Sequence, residues 1–189
     1  MKKMILFALL CVGLSCYGQK KEALQSIHSI NFYGVDYSHA KVFGARETAQ
    51  DFIVAFAGIN QFFITEASKY NVGKPLRKRV DNISLDAVNE ANSHIDPSQL
   101  MIGQTSYTLS PDDVQKAVKA LAIDPKPGTG FILIAQFLNK ADNKGSYIAA
   151  FFDNETKEIV EQWTVYGKAG GFGLRNFWAG SVHSAIRKL

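Results

Sequence analysis

The sequence predicts an α+β fold, with helices packed on a mostly antiparallel or mixed sheet of four to five strands in a two-layer or three-layer sandwich. Three features predict it: a long helical stripe in the first third, three extended runs joined by short turns, and a closing helix that follows a glycine-rich loop.

The first strand is expected in "SINFYGV", Ser29 to Val35, which is rich in β-branched and aromatic residues. After "DYSHAKVFG" a helical pattern runs from about residue 45 to 67. Phe52, Phe56, Ile59, Phe63 and Ala67 recur at steps of three and four, and Ile53, Asn60 and Ile64 widen the stripe. A stripe that broad suits packing on a sheet. Residues 70 to 84 are polar, contain Gly73 and Pro75, and read mostly as loop. The stretch "ISLDAVNEANSHI" fits both periods, and residues 82 to 89 are read as a short strand.

In "SPDDVQKAVKALA", Ser110 is an N-cap, Pro111 opens the helix and two acids fill its first turn. Asp113 stands where a capping box usually has Glu. The period then changes to extended in "GFILIAQFL" (130 to 138), "GSYIAAFFD" (145 to 153) and "KEIVEQWTVYG" (157 to 167). The turn-forming links between them imply an antiparallel meander whose middle strand is the most buried. Leu174, Phe177, Trp178, Ser181, Val182, Ala185 and Leu189 then form a last helical stripe.

Met1-Lys2-Lys3, the apolar run Met4 to Leu14 and the small residues before Gln19 have the layout of a secretory signal peptide. Residues 1–18 are therefore expected as a leader and 19–189 as one domain of the exported protein. Cleavage there removes both cysteines and leaves 19 basic against 17 acidic residues. A second reading keeps Cys16. Gly13-Leu14-Ser15-Cys16 resembles a degenerate lipoprotein box, so contact with a membrane is expected only if Cys16 is lipidated. The near-neutral charge excludes the strongly basic face of a nucleic-acid binder. The one basic cluster, Lys74 with Arg77-Lys78-Arg79, reads as a solvated loop or a contact for an anionic envelope partner.

"YGKAGGFGLRNFWAG" places glycines between a strand and a helix start, the geometry that cradles phosphates. The P-loop order fails, because Lys168 precedes the glycines, and too few residues follow for a dinucleotide unit. The loop is expected to turn a corner and let Phe177 and Trp178 fold under the sheet. An anion site from Lys168, Gly170, Gly171, Gly173, Arg175 and Asn176 is the competing reading. The other candidate cluster is "VDYSHAK", where Asp36 and His39 are the catalytic candidates, flanked by Ser38 and Lys41. Its simpler reading is a turn held by side-chain to backbone hydrogen bonds. Histidines 28, 39, 94 and 183 lack metal spacing, so neither a metal nor another cofactor is expected.

The "FFDNETKE" turn followed by "GKAGGFGLRNFWAG" resembles exported proteins of Bacteroidota-type bacteria, a group without an assigned activity. The element order is also similar to TolB N-terminal and LpoB-like envelope domains. That resemblance implies action through protein contacts, so the expected role is a non-catalytic module contacting an envelope protein or cell-wall component. The alternative is an anion-binding or phosphate-ligand protein, or an enzyme, using the 167–176 and 36–41 loops.

Overall fold

A computed structural model describes residues 24–189. The expected leader and Cys16 lie outside the described residues. A helical turn at residues 24–26 leads into β1 (Ser29–Asp36), β2 (Lys41–Phe43), α1 (Ala49–Thr65), α2 (Gly73–Leu76), β3 (Arg79–Ile83), α3 (Asp86–Ser93), α4 (Pro97–Leu100), α5 (Pro111–Ala120), β4 (Thr129–Asn139), β5 (Lys144–Asp153), β6 (Ile159–Lys168) and α6 (Leu174–Ile186).

The α+β class is as expected, and the sheet is mixed with six strands, in the order β3-β1-β4-β5-β6 with β2 on β4. β4, β5 and β6 form the antiparallel meander. β3 lies parallel to β1, and both β1 and β2 lie parallel to β4. β5 occupies the other edge of β4 throughout, so β2 continues along the edge that β1 leaves. The two are in effect one strand broken at residues 37–40.

Two expectations are corrected. The stretch from 70 to 84 is not mostly loop, because it holds α2 and the edge strand β3. Arg79 and Asp81 are side chains that suit an edge strand, where charge discourages further pairing. Residues 82–89 are not a strand: β3 ends at Ile83 and α3 begins at Asp86. Asp86 sits in the first helical turn, where the dipole favours an acid, and Val88 and Asn92 bury one face at a spacing of four.

The helices start where side chains can satisfy free amides. In α1, Thr48 and Asp51 exchange both bonds of a capping box, and in α5 Ser110 and Asp113 do the same. Aspartate thus completes the box that normally takes glutamate. Each carboxylate is held below its usual pKa, chiefly by the neighbouring Thr48 or Ser110 hydroxyl.

Side-chain alternation assigns the layers. Tyr147 of β5 donates to Ser181 of α6, whereas its neighbour Ser146 faces Gln136, which accepts from the Leu109 amide. Helices α1 and α6 therefore cover one face of the sheet, and the 105–120 region covers the other. On the first face Phe32 meets Phe63 edge-on at 4.7 Å and Tyr37 stacks on Phe56 at 3.9 Å. Trp178 is fully buried, with its ring 6.2 Å from Phe52. β5 is buried from Gly145 to Phe152, as its two apolar faces imply.

Candidate functional site

Strands β1, β2, β4 and β6 run in one direction, so the loops after β2 and β6 meet the β4–β5 hairpin at one end of the sheet. Lys140 of the hairpin pairs with Glu47 ahead of α1 and lies 5.3 Å from the Phe177 ring centre. The Ala169 amide donates to the Asn143 carbonyl at 2.7 Å.

The glycine loop is shaped by close backbone approach. A Cβ on Gly167 would fall inside the contact distance of the Ser181 carbonyl, and one on Gly180 would collide with the Gly170 carbonyl. Helix α6 thus lies against the end of β6 where no side chain could stand. The Ser181 hydroxyl seals the seam, donating to the Gly167 carbonyl at 3.0 Å and accepting from Tyr147. Burial pushes the Tyr147 phenol well above its ordinary pKa, so it stays a donor. The Gly170 amide donates to the Phe177 carbonyl at 3.0 Å, and Gly173 occupies the N-cap of α6 at φ 78 without a side-chain cap.

The side chains proposed around this loop do not converge over its glycines. Arg175 folds back over α1, its guanidinium 4.9 Å from the Phe62 ring centre and its stem over Gly58. Gly58 is therefore a packing glycine within a continuous helix. Asn176 accepts from Arg175 Nε at 3.3 Å. Lys168 is exposed, with its backbone amide donating to Ser184 Oγ.

The second candidate cluster is the break between β1 and β2. Asp36 is 1% exposed, and its carboxylate accepts from the Ser38 amide at 2.7 Å, closing a tight turn. Two buried asparagines hold the strand up to that turn. Asn60 of α1 both accepts from the Val35 amide and donates to its carbonyl at 2.9 Å. Asn92 of α3 accepts from the Tyr37 amide at 2.6 Å and adds a second bond to the Val35 carbonyl. His39 lies on the α5 side, close enough to reinforce slightly the low pKa of Asp113 set by Ser110. Lys41 donates to the Gln99 carbonyl at 2.6 Å.

Asp36, His39, Lys168 and Arg175 therefore do not gather in one cleft. Arg175 lines a groove of about 740 Å³ between α1 and the start of α6. Val54, Ala55, Gly58 and Leu174 give it an apolar lining, and Glu47, Asp51 and Arg175 supply its charges. Two residues before Leu174, Phe172 stands 95% exposed, and Val54 is 66% exposed. Sequence reading did not single out Phe172; the signal available was a large apolar residue between two glycines. Among the described residues no three His, Cys, Asp or Glu side chains cluster as metal ligands would.

Compared with known proteins, the chain matches no family model, and no curated protein is similar enough to count as a relative.

Proposed function

We propose that the chain is an exported envelope protein that acts without catalysis, by gripping a protein partner at the α1–α6 groove. The observation that carries this reading is Phe172, a fully exposed aromatic held between Gly171 at φ 133 and Gly173 at φ 78. Aromatic residues that become buried on binding are frequent energetic centres of protein interfaces. Exposed Val54 and the Leu174 wall make the adjoining surface apolar, which favours a peptide or protein side chain over a polar cell-wall sugar. The dispersal of the acid, base and cationic candidates also supports binding over chemistry, because general acid–base work needs such groups within hydrogen-bond reach of one substrate.

Site-specific photo-crosslinking in living cells of the source bacterium tests it. A crosslinker at position 172 or 54 should capture one and the same partner protein, and Phe172→Ala should abolish capture from position 54. A crosslinker at exposed Lys116 on α5 should capture nothing. Equal yields from all three positions, or no adduct at 172, would refute the reading.

A further inference from the structure

At the opposite end of α6 the surface is basic. Two adjoining cavities of about 560 and 440 Å³ share Asn71 and Lys74 and are lined by six cations: Lys69, Lys74, Arg77, Lys78, Arg79 and Arg187. No carboxylate lines either one. Glu66 and Asp81 pair with Lys69 and Arg79 at the margin, at 3.0 and 2.5 Å. Among the described residues no carboxylate pairs with Lys74, Arg77 or Arg187. The tertiary fold creates this concentration: α2 closes in a left-handed turn at Arg77, and the end of α6 brings Arg187 in from the far end of the sequence. His183, in the same hollow, has its pKa lowered by burial first and then by Lys69 and Arg187, as expected in a positive field.

The polypeptide also enters the fold here. Lys78 Nζ donates to the Leu24 carbonyl at 2.5 Å. Leu24 is eight residues beyond Cys16, and Lys20 and Lys21 lie in the connecting sequence. A chain that short reaches no more than about 29 Å even fully extended. If Cys16 is retained and lipidated, the end of the protein nearest the bilayer is the basic one.

We infer that this face docks on a membrane surface carrying anionic lipid headgroups, with phosphate groups seated among Lys74, Arg77 and Arg187. The seats are hollows rimmed by long cationic side chains. They need no fixed hydrogen-bond geometry, as suits a fluid surface rather than a folded partner. This inference does not rest on the groove reading, since the two ends of the 13-residue α6 are about 20 Å apart.

Vesicle co-sedimentation tests it, using the chain from Gln19 onward, which contains every described element. Binding to vesicles containing phosphatidylglycerol should be clear, should weaken with salt, and should be absent for phosphatidylcholine alone. Each cation near such a surface is worth about fivefold in affinity. Lys74→Gln/Arg77→Asn/Arg187→Gln together should therefore lose about a hundredfold, with asparagine chosen at 77 because it tolerates the left-handed conformation. The charge-matched control Lys116→Gln/Lys119→Gln/Lys126→Gln should bind as the parent does. Equal loss in both variants, no preference for anionic vesicles, or binding to heparin in place of vesicles would overturn the inference. A failure here would leave crosslinking at Phe172 unaffected, so the two proposals fail separately.

Discussion

The chain turns sharply at two strand ends and accommodates the backbone there by opposite means. Between β6 and α6 the means is the absence of side chains, with Gly167 and Gly180 letting a helix backbone touch a strand end. Between β1 and β2 it is the presence of two amide side chains, Asn60 and Asn92, which reach in from helices and replace the missing ladder bonds at Val35 and Tyr37. A backbone group buried without a partner is destabilising in either case. The glycine corner leaves its carbonyls to Ser181 and Phe177 of the closing helix, whereas the asparagine clamp imports partners from elsewhere in the chain. The first solution is intolerant of volume and the second of lost polarity.

The sharpest way to break this comparison is Gly167→Ala. The new methyl would collide with the Ser181 main chain, and a helix carbonyl cannot move aside as a flexible side-chain tip can. Overpacking against backbone should destabilise by on the order of 3 kcal/mol or more, read as a large fall in the urea midpoint or as failure to fold. A midpoint within experimental error of the parent would show that α6 is not seated as described.

Asn60→Ala should come next. It leaves the Val35 amide without its acceptor while the Val35 carbonyl keeps Asn92, so one buried donor is orphaned. The expected loss is about 2 kcal/mol in equilibrium unfolding. Asn60→Ala/Asn92→Ala should exceed the sum of the single losses, because the shared Val35 carbonyl is then orphaned as well. Simple additivity would mean the two asparagines are not a clamp.

The same contrast explains what was legible beforehand. The meander and the last helix are visible because their signals are local: alternation within ten residues, turn formers between strands, and steps of three and four. The start of α5 is visible because Ser110, Pro111 and Asp113 carry its cap within four positions. β3 is invisible because Arg79–Ile83 becomes a strand only through pairing with β1, some fifty residues earlier. Ile83, Leu85 and Ala87 mimic a strand by alternating, although the burial of Val88 and Asn92 follows the helix. Of the candidate site, the corner-turning role of the glycines and the turn at Asp36 could be read from residue type. The clamp could not. Asn60 widens an apolar stripe like any neighbouring position, and nothing in its local sequence says that its partner is Val35.

The smallest effect is the most discriminating. Gly170, Gly171 and Gly173 look alike in the sequence, yet only Gly171 and Gly173 have positive φ, and a Cβ at Gly170 or Gly173 would meet nothing within 4 Å. Gly173→Ala therefore isolates backbone strain from packing, and should lower stability by on the order of 1–3 kcal/mol. Gly170→Ala adds a methyl in open space on an ordinary backbone and should change stability by less than about 0.5 kcal/mol. An anion site built from the loop amides would order the pair differently, because it depends on backbone approach at both positions. Titration of the parent with inorganic phosphate, followed by tryptophan fluorescence from Trp163 and Trp178, should then be flat, and Gly170→Ala should leave it flat. A saturable response removed by Gly170→Ala would return the loop to ligand binding and leave its corner-turning geometry as only half of its role.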